Sequence, residues 1–200
     1  MDLSPIAPFL PTPSVLPLIE GWVKAHTFEL KITRPRSTKL GDFRPPRPGQ
    51  MAKLTLNGNL GPYQFLTTLT HEIAHLIAWE QYGRKAMPHG KEWKMIFSMM
   101  LRELEEYCEW PIAYSTALKK HAKSPKSAVG GDPLLQQTIL KLDGMDDQLL
   151  LQELVPGEAF TFKNRAFTFK EKRRTRALVV EHGTKRQFTI PLVARIERLD

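Results

Sequence analysis

The stretch "TLTHEIAHLIAW", Thr68–Trp79, sets two histidines and a glutamate into an otherwise apolar run. Around it, the periodicity predicts one long helix from about Pro62 to Tyr82, opened by Gly61-Pro62 and capped by Gly83. At about 100° per residue, Leu66, Leu69, Ile73, Leu76 and Ile77 gather opposite His71 and form the core stripe. His71 and His75 share the other face, with Gln64 and Thr68 below them.

Histidines at i and i+4 lie about 40° apart around a helix and one turn apart along it, so both rings reach one ion. Zinc takes neutral imidazole nitrogen at about 2.0–2.1 Å, and a catalytic site keeps a position open beyond three protein ligands. Glu72 is turned about 100° from His71, which suits it to take a proton from water at the metal rather than to bind the metal. With six His and fourteen Glu in 200 residues, chance supplies roughly 0.01 matches to H-E-x-x-H. The plainer reading is a pair of helix-surface histidines beside a solvated glutamate.

A third ligand has to come from His26, His89, His121 or His182. His89 is the candidate: it follows Gly83 by six residues, enough chain to fold back past the helix end. Pro88 stiffens its approach, and Gly90 removes bulk beside it. Its plain alternative is a capping or loop histidine, and the other three are expected at the surface. Beyond Gly90, Trp93, Ile96, Phe97, Met100, Leu101 and Leu104 keep the spacing of a packed helix face, so Trp93 reads as core rather than as a neighbour of the ligands.

"HEIAHLIAWEQYGRKAMPHGKEW" resembles the SprT-like family, whose eukaryotic branch is the Spartan protease of DNA–protein crosslink repair. Upstream, "KLGDFRPP" and "LTLNGNL" look like that family's strands before the active-site helix, and the resemblance runs from about Phe28 to Leu104. It implies a zincin-like metallopeptidase with His71, His75 and His89 as Zn2+ ligands and Glu72 as catalytic base. Many such proteins carry a cysteine zinc module after the protease part; with Cys108 as the one cysteine, this chain cannot build it.

Outward from the helix, Pro17–His26 reads as a short helix, and "FELKITRP", "KLGDFRPP" and "MAKLTLNG" as three short strands. Ala52–Asn57, just before the long helix, is the candidate rim strand for an extended substrate, or else an ordinary interior strand. For the oxyanion, Tyr63, Tyr82 and Arg84 are candidates. Helices at about Ile112–His121 and Pro133–Leu142 flank "AKSPKSAVGGDP", which has linker composition.

The last 46 residues, from Val155, change character: five short strands are expected, and eleven Lys/Arg stand against five Asp/Glu. The expectation is an SH3- or OB-like barrel, with Lys170, Lys172, Arg173, Arg174 and Arg176 as nucleic-acid contacts. Phe160, Phe162, Phe167 and Phe169 are either its core or stacking platforms, and the basic run is either a phosphate surface or a solvated hairpin edge. A second basic stretch, Arg34–Arg47, is a weaker extension.

The whole therefore reads as α+β: residues 1–122 the metallopeptidase domain with a short mixed sheet, 123–154 a linker with helical segments, and 155–200 a basic all-β module. A net charge of +8 favours polyanionic partners, of which DNA is one. One cysteine fits a reducing compartment, and the proline-broken N-terminus is a poor signal peptide; the expected location is cytoplasmic, with no membrane contact. The expected activity is a zinc endopeptidase on protein or peptide substrates. Its rival is a non-proteolytic nucleic-acid- or protein-binding factor with a structural or inactive zinc site, which would need no base at position 72.

Overall fold

The computed structural model describes residues 3–36, 39–144, 149–174, 176–192 and 194–199. They fall into two compact units, 1–127 and 128–200, so the helix at Pro133–Leu142 groups with the β-rich segment.

The first unit opens with two 3-10 turns, Ser4–Phe9 and Pro13–Val15, in the proline-rich stretch. Helix α1 follows at Leu16–Val23. Three strands, β1 (Phe28–Thr33), β2 (Gly41–Arg44) and β3 (Ala52–Asn57), form a mixed sheet in the order β1-β3-β2. β1 runs parallel to β3 and β2 antiparallel to it, with Phe43 opposite Leu54. Ala52–Asn57 is therefore the central strand, paired on both sides, and not the rim. β2 lies at an edge of the sheet, on the far side of β3 from β1.

Helix α2 (Pro62–Tyr82) packs on β2 and β3 on one side and on α3 (Lys91–Tyr107) on another. Between the two helices the chain makes a 3-10 turn, Gly83–Lys85, and a tight turn closed by Gly90 N–H donating to Met87 O at 2.8 Å. Leu66, Leu69, Ile73 and Leu76 are buried as the stripe requires, whereas Ile77 is half-buried. Helix α4 (Ile112–Lys123) closes the unit against α3.

In the second unit, helix α5 (Pro133–Leu142) precedes five strands: β4 (Ala159–Phe162), β5 (Arg165–Lys172), β6 (Arg176–Glu181), β7 (Gln187–Pro191) and β8 (Glu197–Leu199). Lys163 and Asn164 both take positive φ in the two-residue β4–β5 turn, as the "KN" hairpin predicts. The sheet runs β7-β6-β5-β4-β8 and is open rather than a closed barrel. Closure would need β7 to pair with β8, but the last strand is only three residues long and lies against β4. Phe160, Phe167 and Phe169 are buried in this unit's core with Leu151, Leu154, Val179, Ile190 and Ile196. The stacking-platform reading of those three fails, because the β alternation turns them inward. Among the described residues, no helix is long and apolar enough to cross a membrane.

Candidate metal centre

Helical spacing puts His71 and His75 one turn apart on α2, and the turn before α3 folds His89 back onto them. Their Nε2 atoms stand 3.2 Å (His71–His75), 3.2 Å (His71–His89) and 3.0 Å (His75–His89) apart. Three nitrogens at the corners of a zinc tetrahedron, each about 2.0–2.1 Å from the ion, would be about 3.3 Å apart. The spacing and the all-imidazole donor set fit one shared cation, and this triad is the group among the described residues that could hold one. His89 reaches its place with φ +58, a left-handed backbone uncommon for a non-glycine residue.

The indole of Trp93 forms the floor. It is fully buried, with its ring centroid 4.6 Å from His71, 5.1 Å from His75 and 4.7 Å from His89. The sequence places Trp93 in the core but not against the ligands; a tryptophan four residues after the third histidine, in the first turn of the helix that follows it, is the signal. Phe97 continues the wall at 5.3 Å from His71 and meets His121 edge-on from the other side at 5.8 Å. His121 is thus buried, contrary to the surface position expected for it, because α4 turns it into the α3 interface. His26 bonds Glu80, and His182 bonds Thr168 at 2.8 Å.

The imidazoles are poised as neutral donors. Burial pulls the His71 pKa down to about 3, with the charges of His75, His89 and His121 adding to it. Burial and then His89 pull His75 down to about 4, and burial with the nearby Lys94 lowers His89. The neutral ring is the ligating form.

Glu72 sits beside the triad under β2, 7 % exposed, and the Phe43 backbone N–H bonds its carboxyl. Burial pushes its pKa up to about 8; Asp42 adds to the rise, while the Phe43 bond works against it. Phe43 also lays its ring parallel to His75, centroids 6.3 Å apart. Below, on the same face, Thr68 donates to the Gln64 carbonyl at 2.7 Å, and both side chains are buried.

Of the three oxyanion candidates, Tyr63 packs edge-on to Tyr114 at 4.8 Å two turns before His71, Tyr82 is exposed as the last residue of α2, and Arg84 is exposed in the turn that follows. Of the basic residues of the second unit, Lys170, Lys172, Arg173 and Arg174 are exposed around the β5–β6 connection. Arg173 pairs with Glu171 at 3.7 Å, and Arg176 is tied across the sheet to Thr189, at 3.0 Å to the hydroxyl.

Residues 24–110 match the SprT-like family. Three curated proteins, each called Protein SprT, from Salmonella arizonae, Salmonella newport and Salmonella heidelberg, are each 58% identical over 31 residues. That stretch is 16% of this chain and 18% of each relative, so the match spans less than a fifth of their length. No solved structure matches the chain.

Proposed function

We propose that this chain, which belongs through residues 24–110 to the SprT-like family, is a zinc-dependent endopeptidase of zincin-like architecture. The observation that carries the reading is a buried carboxyl, Glu72, held beside three neutral imidazoles that converge on one point. Zinc at that point supplies Lewis acidity toward a carbonyl and lowers the pKa of water to about 7. The chain's own residues do the rest. His71, His75 and His89 would hold the ion, and Trp93 and Phe97 exclude water from behind the three rings. Ionised against the pull of its burial by a cation in the triad, the Glu72 carboxylate takes the proton of the attacking water and delivers it to the departing amine. The Phe43 N–H fixes which way the carboxylate faces. β2, an edge strand beside the triad, offers backbone groups with which an extended peptide can pair.

Replacing Glu72 by Gln tests this directly. The variant is expected to bind zinc with unchanged stoichiometry and to lose cleavage of an unfolded protein substrate by at least about a hundredfold, the span of one general base. Equal cleavage by variant and wild type would reject the mechanism, and a wild type that binds zinc yet cleaves nothing would favour the non-proteolytic rival.

For partners, the proposal is that DNA-associated proteins are brought in through the β5–β6 connection. Because its phenylalanines are largely buried, contact there is to phosphate rather than to stacked bases. Changing Lys170, Lys172, Arg173 and Arg174 together to Gln is expected to weaken retention on duplex DNA and flatten its salt dependence. Unchanged retention removes the recruitment idea.

A further inference from the structure

We propose that Gly41 on β2 is a positioning residue for Glu72: its missing side chain is the seat that lets the carboxylate lie beside the triad. A Cβ built at Gly41 would stand 2.6 Å from Glu72 Oε1, 2.8 Å from Glu72 Cγ and 2.8 Å from Thr68 Cγ2. Contacts under 3.0 Å are beyond what real packing tolerates, and two of these three atoms belong to the glutamate itself. The glycine is not there for its backbone freedom, since it lies outside the left-handed region that glycines 49, 83, 144 and 157 occupy. It is there for space.

The atoms that must yield also identify what moves. Thr68 is held from the α2 side by its bond to the Gln64 carbonyl at 2.7 Å. β2 is held by register, Gly41 opposite Leu56 and Phe43 opposite Leu54. The Glu72 carboxylate is the mobile partner. A methyl at position 41 therefore displaces it, breaks its bond from Phe43 N–H two residues along the same strand, and leaves the three histidines in place. The sequence "KLGDFRPP" hides this, because a glycine in a short strand reads as an ordinary weak spot.

The inference rests on the peptidase reading for its kinetic part only, and the test separates the two. Gly41→Ala is compared with wild type, with Glu72→Ala and with the double variant, with Gly21→Ala as control because nothing lies within 4 Å of a Cβ there. In the metal-free chain, Gly41→Ala is expected to lower the urea midpoint clearly, and that loss is expected to fall by more than half in the Glu72→Ala background. Zinc affinity is expected to stay within about threefold of wild type, since no ligand is touched. In peptide cleavage, kcat is expected to fall about ten- to hundredfold with KM nearly unchanged, and Glu72→Asp, one methylene shorter, is expected to lose little more when Gly41→Ala is added. An equal midpoint loss in the wild-type and Glu72→Ala backgrounds overturns the proposal, as does unchanged kcat. If wild type cleaves no peptide, the function reading fails, and the urea cycle still decides the contact.

Discussion

Trp93 shows how one side chain serves packing and chemistry together. Its indole fills the space between α2 and α3 and touches all three imidazoles on one side and Phe97 on the other, at 4.8 Å between centroids. Trp93→Ala would leave a void behind the ligands and is expected to destabilise the protein by about 3–5 kcal/mol. It would also free the ligand rings to rotate, so zinc binding is expected to weaken about 10- to 100-fold, as when an outer-shell support is lost. Competition with a chromophoric chelator measures the second effect and urea unfolding the first. An affinity unchanged despite the lost stability would mean that Trp93 is core alone.

At the scale of the element, the turn after α2 decides whether the third histidine arrives. Gly83 ends the helix with φ +59 and ψ −142, a combination open essentially only to glycine, while its N–H still bonds Trp79 O. That residue turns the chain back through Gly83–Lys85 toward His89. Gly83→Ala is expected to cost about 1–3 kcal/mol and to raise amide exchange across residues 84–90. If exchange there stayed as in wild type, the turn would be held by its other contacts and not by the glycine. The helix end and the cap were legible in "EQYGRK"; the route of the loop was not, because six residues can be threaded several ways and α3 alone fixes the choice.

At the scale of the whole molecule, the two units carry separate cores, and all four tryptophans lie within the first. The second also carries a charged pair at its sheet: the Arg165 guanidinium donates to Glu181, which also accepts from Thr184, and these bonds hold the Glu181 carboxyl down at about 2. In the unfolded chain the same carboxyl titrates at about 4.3. Between those values the unfolded state binds more protons, so the stability from this pair is complete above about pH 5 and is lost as pH falls toward 2. Amide NMR signals of residues 149–199 are expected to show this acid sensitivity, and Glu181→Gln is expected to flatten it. An identical acid profile in the variant would show that another group governs the unit.

What the sequence determined by itself was whatever repeats along the chain. The 3.6-residue period placed α2 and set His71, Glu72 and His75 on chosen faces, the alternation in "EAFTFKNRAFTF" gave two strands with their phenylalanines at alternate positions, and "KN" gave their turn. These follow from local backbone geometry, which the residues carry with them. Tertiary structure alone decided the strand order that made β3 central and β2 the edge, the open sheet where a barrel was expected, the burial of His121, and the approach of Gly41 and Trp93 to the centre. Each of these depends on which distant segment packs where, and contact across tens of residues leaves no period in a single sequence.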